Sequence, residues 1–182
     1  MVKKEKSILS FHQTQFLDLI SKEKYFCQKF YFTGGTALSE FYLRHRISED
    51  LDFFCEREEV NSIYIRRFFK LKSKFLELEK FDTRRIFGIY TYFFTFKDES
   101  ILKVDFSYYP FERIEKGIKF NNLQIDSIYD IAVNKVHTIA MKPRARDFVD
   151  IYFIIKEKNY DFHDLILKAK AKFDWHITAL EL

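Results

Sequence analysis

The stretch from Phe30 to Phe54 constrains the fold more than any other. Phe30-Tyr31-Phe32-Thr33 is a short aromatic and β-branched run that predicts a buried strand. Gly34-Gly35 breaks it, Thr36 to Leu43 predicts a helix starting at once, and Leu51 to Phe54 predicts a second strand. Strand, glycine turn, helix and strand in such close succession point to a sheet flanked by helices.

The rest of the chain fits that frame. Only four Gly and two Pro punctuate 182 residues, so elements should be long and loops short. Phe11 to Ser21 predicts a helix with Phe16, Leu17 and Ile20 on one face, and Val60 to about Leu76 a longer one. Arg85 to Phe96 alternates as a strand does, with Gly88 as a turn or bulge. Ile101 to Tyr108 predicts another strand, and Lys119 to Ile125 a short last one. From Ser127 the pattern turns helical, with helices near Ser127–Met141, Ala145–Lys156 and Phe162–Lys172, the first two separated by Pro143. The expected class is α+β. A mixed sheet occupies residues 1–126, and a helical C-terminal part, 127–182, packs on it without a linker.

Composition narrows the function. Hydrophobic residues make up 47% and charged residues 32%, as in ordinary globular proteins. The 23 Phe and 11 Tyr suit either a base-stacking surface or a core filled with Phe; most lie inside apolar runs, which favours the core. A net charge of +4 permits a polyanionic partner without demanding one. Cys27 and Cys55 form no metal or redox pattern and fit a reducing compartment. The basic N-terminus has no apolar segment behind it and no stretch reaches membrane-span length, so the expected location is the cytoplasm, away from membranes.

The chemistry sits where the two strands meet the helix. A glycine pair opening a helix leaves free backbone N–H groups that favour phosphate and lets it approach closely. Asp50 and Asp52 stand two apart on a predicted strand, so their side chains share a face. Adjacent like charges are costly unless a cation lies between them, and Mg2+ or Mn2+ suits oxygen ligands. Alone, a glycine pair is usually a turn and an Asp-x-Asp a cap or solvated edge; the two together, with Phe53-Phe54 following, are far less common by chance. On the strand Ile101–Tyr108, Asp105 shares a face with Lys103 and Ser107, opposite Leu102, Val104 and Phe106. It is either an ordinary surface aspartate or a third carboxylate offered to the same site.

The pattern Gly34-Gly35-Thr36-Ala37-Leu38 followed by His45-Arg46-x-Ser48-x-Asp50-Leu51-Asp52-Phe53-Phe54 resembles the nucleotidyltransferase superfamily, and within it the AbiEii/AbiGii toxin family. The resemblance implies a nucleotidyltransferase fold. It implies that Gly34, Gly35 and Thr36 face the phosphates of a nucleoside triphosphate, and that Asp50, Asp52 and Asp105 hold Mg2+ or Mn2+. Asp105 would also serve as general base.

The C-terminal helices carry a second constellation. Ile128, Ala132, Val136 and Ile139 form an apolar stripe with Lys135 in its middle. A lysine there either snorkels outward or points its ammonium at an anion such as a triphosphate. Asp147 and Asp150 share a face of the next helix with Ile151 and Ile154, and salt bridges to Arg144, Arg146 or Lys135 are the plain explanation. The segment from Lys135 through Arg146-Asp147-x-x-Asp150 resembles the C-terminal motifs of the same toxin family, which implies that Lys135, Asp147 and Asp150 help bind nucleotide and organise the site. Family members are often longer; only about 30 residues follow Asp150 here.

Arg46 has two readings that the sequence does not separate, neutralising a phosphate or pairing with Asp50. His12, His137, His163 and His176 show no ligand or triad spacing, Ser48 reads as a loop hydrogen-bonder, and Trp175 as packing. The expectation is transfer of a nucleoside monophosphate from a triphosphate to an acceptor hydroxyl on RNA, tRNA or protein by two-metal chemistry. The resemblance adds a toxin role and a separately encoded antitoxin as partner. The alternatives are a non-catalytic nucleotide-binding module of the same fold and a two-metal nuclease.

Overall fold

The computed structural model describes residues 7–174. Helix α1 (Phe11–Lys22) starts at a capping box: the Gln13 backbone N–H donates to the Ser10 hydroxyl and the Ser10 N–H to the Gln13 side chain. Then come α2 (Lys24–Lys29), β1 (Tyr31–Thr33) and α3 (Gly34–Leu38), which widens into a π-helical turn, Ser39–Leu43. Strand β2 (Leu51–Cys55) leads to α4 (Ser62–Lys72), β3 (Leu78–Ile86), β4 (Ile89–Phe96) and β5 (Ile101–Tyr108). Short strands β6 (Lys119–Phe120) and β7 (Leu123–Ile125) precede α5 (Ile128–Met141), α6 (Ala145–Lys158) and α7 (Phe162–Phe173).

The seven described strands form one mixed sheet in the order β3-β4-β5-β2-β1-β7-β6. Strand β2 runs parallel to β5 and β1 parallel to β7; the remaining neighbours are antiparallel. One face is sealed by aromatic side chains. Phe16 of α1 stacks on Phe69 of α4 at 4.8 Å, Phe26 of α2 meets Phe106 of β5 at 5.7 Å, and Phe53 stacks on Phe106 at 5.1 Å. These five rings and Phe94 are fully buried, so much of the Phe surplus is core. Helices α6 and α7 both pack on α5 in the C-terminal part of the chain. Among the described residues, no helix is long and apolar enough to cross a membrane.

Several boundaries differ from expectation. The predicted Thr36–Leu43 helix starts at Gly34 and loses its regular pitch at Ser39. The predicted Val60–Leu76 helix is shorter, Ser62–Lys72, and its start is set by the Asn61 side chain, which accepts from the Tyr64 N–H. The segment Arg85–Phe96 spans a hairpin, its first two residues ending the strand that begins at Leu78 and Ile89–Phe96 forming the second strand. Its turn, Phe87-Gly88, has φ of 49° and 81°, the signs of a type I′ turn. The short strand at Lys119–Ile125 is two strands around Asn121, which adopts φ 52°. Helix α2 went unread.

Candidate functional site

Strand register assembles the carboxylates. Asp52 lies beside Thr33 across the antiparallel pair and beside Asp105 across the parallel pair, so Thr33, Asp52 and Asp105 form one row over three strands. Asp50 precedes β2 instead of lying in it, and the buried Thr36 hydroxyl holds its backbone by donating to the Asp50 carbonyl at 2.5 Å. Lys103, two residues before Asp105, donates to Asp50 at 3.1 Å and to Asp105 at 2.8 Å. Burial pushes the Asp52 carboxyl up to about 6, the charges of Asp105 and Asp50 add to the rise, and Lys103 and Lys135 oppose it. One oxygen of Asp105, Oδ1, is buried without a hydrogen-bond partner.

The glycines are explained by what leans on them. Gly34 has φ 77°, and a Cβ there would overlap Asp52 Oδ2; a Cβ on Gly35 would overlap Arg46 Nη2. The turn therefore lets an aspartate and an arginine close over backbone that any side chain would push away.

The opposite wall is basic. Lys135 of α5 donates to Asp147 at 2.9 Å and pairs with Asp150 at 2.5 Å, both on α6. Arg46 clamps Asp150 with two bonds, Nε–Oδ1 at 2.6 Å and Nη2–Oδ2 at 2.8 Å, and His45 Nε2 approaches the same Oδ1 at 2.6 Å. Burial alone would raise the Asp150 carboxyl, but Arg46, His45 and Lys135 outweigh it and hold it well below the usual range. Asp147 is shifted the same way against the same burial penalty, by Lys135 and by Arg144, whose Nε donates at 2.9 Å.

Both walls face one cleft of about 190 Å3. Of the residues read from sequence, Gly34, Gly35, Arg46, Asp50, Asp52, Asp105, Lys135 and Asp147 line it. Thr36 and Asp150 do not; they lie beneath it, Thr36 bracing Asp50 and Asp150 bracing Arg46 and Lys135. A nucleotide-facing place for these two is corrected by their burial, 1% and 0% exposed. Pairing of Arg46 with Asp50 is likewise replaced by the clamp on Asp150. Lys103, Arg144, Arg146, Ser48 and Asn134 also line the cleft. Of these, Lys103 was the most legible, because its two-residue spacing from Asp105 puts both on one strand face. His12 instead pairs with Asp98 at the surface, and Trp175 and His176 lie outside the described residues.

Among the described residues, no three His, Cys, Asp or Glu side chains stand in an arrangement ready to hold a metal ion. Two of the expected three aspartates, Asp50 and Asp105, are instead bridged by the Lys103 ammonium, which meets the need of neighbouring anions for a cation. The donors still suit a hard divalent ion: three carboxylates on adjoining positions, one with an unused buried oxygen and one with its pKa raised by burial and by the charges of the other two. Lys103, 34% exposed at the side chain, has room to move aside.

The family model described as nucleotidyl transferase AbiEii toxin, type IV toxin–antitoxin system, matches residues 17–182. An uncharacterized protein of Aquifex aeolicus is 30% identical over 155 residues, covering 81% of this chain and 68% of that protein. The crystal structure of JHP933 from Helicobacter pylori superimposes with a TM-score of 0.60 at 21% identity, over 89% of this chain and 77% of that one. A second H. pylori structure, assigned as a nucleotidyltransferase, gives 0.61 at 22% identity, over 94% and 86%.

Proposed function

The chain belongs to the AbiEii family of nucleotidyl transferase toxins of type IV toxin–antitoxin systems, and from that premise we propose that it transfers a nucleoside monophosphate from a triphosphate to an acceptor hydroxyl on RNA or protein. The observation that carries this reading is the pairing of walls in one cleft: the Asp50, Asp52 and Asp105 carboxylates on one side, Lys135, Arg46 and Arg144 on the other, with the Gly34-Gly35 turn between. Asp50, Asp52 and Asp105 would hold Mg2+ or Mn2+, which supplies charge neutralisation for the attacking and leaving oxygens. The Gly34 and Gly35 backbone gives the triphosphate close access. Lys135 and Arg46 lean on its phosphates from the fixed positions that Asp147 and Asp150 impose. Asp105, through its unused Oδ1, takes the proton of the acceptor hydroxyl as that oxygen attacks the α-phosphorus in line, and pyrophosphate leaves toward the basic wall.

Toxin activity follows from consuming an acceptor that the cell needs, and a separately encoded antitoxin would relieve it; the cytoplasm, where triphosphates and acceptors meet, is the fitting compartment. A nuclease would share the carboxylates but leave the buried scaffold behind Lys135 and Arg46 without a purpose. The test is incubation with each labelled nucleoside triphosphate, Mg2+ or Mn2+, and total RNA or cell protein. We expect label on the acceptor and a loss of at least about 1,000-fold in Asp52→Asn, in line with removal of a principal charge-stabilising group. Undiminished labelling by a folded Asp52→Asn protein sinks the assignment.

A further inference from the structure

The sheet face that carries the catalytic row does not stop at Asp105. Strand β4 pairs Thr91 with Asp105, and β3 pairs Arg84 with Thr91, so the row runs on to the sheet edge as Asp105–Thr91–Arg84. The same face takes Lys103, Phe93 and Asp82 in the next row. On the other parity of these strands Tyr92, Phe94 and Phe106 are buried in the core, whereas Arg84 is exposed and Thr91 and Phe93 are half-exposed in mid-sheet. Side chains of that kind sit under a covering layer in a sheet closed on both faces; here they form an open floor leading away from the cleft.

We propose that this floor is the docking track of a single-stranded nucleic acid whose terminal ribose hydroxyl is the acceptor presented to Asp105; this rests on the transferase reading above. Two observations select that occupant. The Arg84 guanidinium lies over the Phe93 ring at 5.1 Å, a flat cationic and aromatic pair that offers a phosphate contact and a stacking platform in one place. Lys80, Asp82 and Arg84 alternate along one face of β3, two cations to one anion, with Glu79 in the bulge before Lys80 and Lys103 of β5 in the row of Asp82, so the track favours a polyanion. The track is also continuous with the carboxylates. Two strand spacings of about 4.8 Å put Arg84 about 10 Å from Asp105, roughly the length of three stacked nucleotides at about 3.4 Å each. A duplex is a poorer fit, because its bases are already stacked on one another and have no free face for Phe93.

The experiment is fluorescence anisotropy with a 5′-labelled single-stranded ribo-oligonucleotide, its duplex, and MgATP or MgGTP binding measured in parallel by calorimetry. The variants are Arg84→Glu, an exposed edge-strand change, and Phe93→Leu, which keeps apolar volume while removing the aromatic face. Each is expected to weaken single-strand binding about 10-fold and to raise the acceptor KM with little change in kcat, leaving triphosphate affinity unchanged. Arg84→Glu should also lower the slope of log affinity against log salt by about 0.7 or more. If Phe93→Leu does not fold, Arg84→Glu decides alone. Single-strand binding that both variants leave intact overturns the proposal, as does transfer to a protein acceptor by a wild type that binds no single strand. Triphosphate binding that persists while the oligonucleotide is ignored removes the track only; loss of both removes the transferase reading with it.

Discussion

At the scale of single residues, Lys103 governs the acidic wall. Its ammonium joins Asp50 to Asp105 and favours the charged form of Asp52, so it does for these carboxylates what a bound cation does. Burial resists a charge on Lys103, yet the bonds to Asp105 and Asp50 more than offset that and favour its protonated form. Lys103→Met should therefore act in two directions. Without divalent ions the protein loses thermal stability, because three neighbouring carboxylates have lost their cation. With Mg2+ present, the stabilisation should exceed that of the wild type, because no ammonium competes for the same oxygens. Thermal melts in EDTA and in Mg2+ check both directions; a variant whose melting temperature responds to Mg2+ no more than the wild type's contradicts the shared-oxygen account.

At the scale of elements, the basic wall is a contract between α5, α6 and the loop after the π turn. Lys135 comes from α5, Asp147 and Asp150 from α6, and His45 and Arg46 from the loop; each carboxylate is nearly or fully buried. Read alone on its helix, Lys135 resembles a misplaced charge whose removal relieves the stripe. With two buried carboxylates in contact, removal leaves them undercompensated, which costs 3–5 kcal/mol when nothing else remains. Arg46 still holds Asp150 and Arg144 still holds Asp147, so Lys135→Met should cost about 2–3 kcal/mol by urea unfolding and weaken triphosphate binding as well. A loss of affinity with no loss of stability points instead to a lysine that the carboxylates do not need. The contrast marks what local sequence can convey. The glycine turn, Asp52 and the Lys135 stripe were legible because each is a short-range pattern. The partnership of Arg46 with Asp150 crosses 104 positions and has no local signature. Strand β3 was missed because it is an edge strand, polar along most of its length, and α2 because six residues give too little periodicity.

At the scale of the whole molecule, the carboxylates of the core and the cleft divide into two groups that pull stability in opposite directions with pH. Asp130, Asp147 and Asp150 are held below the ordinary range by their cations and backbone donors, so they stabilise the fold above their unfolded pKa and that contribution fades as the medium turns acid. Asp52 and Asp126 go the other way. Burial raises Asp126 to about 7, against the Thr33 hydroxyl that donates to it at 2.7 Å, and Asp52 stands near 6. Between about pH 4 and these values the folded chain holds protons that the unfolded chain has released. The unfolded state then binds fewer protons, and stability falls as pH rises through the window. In EDTA the melting temperature should accordingly be higher near pH 5 than near pH 8. Asp126→Asn should recover part of the loss at pH 8 whether or not Mg2+ is present, since Asp126, held behind Thr33, does not line the cleft and is not one of the three carboxylates that would hold the ion. Mg2+ should recover the Asp52 part, strongly at pH 8 and weakly at pH 5, where a proton on Asp52 competes with it. Melting curves at the two pH values, with EDTA or Mg2+, separate the contributions. A wild type that melts higher at pH 8 than at pH 5 in EDTA contradicts the assignment of Asp52 and Asp126 as raised groups.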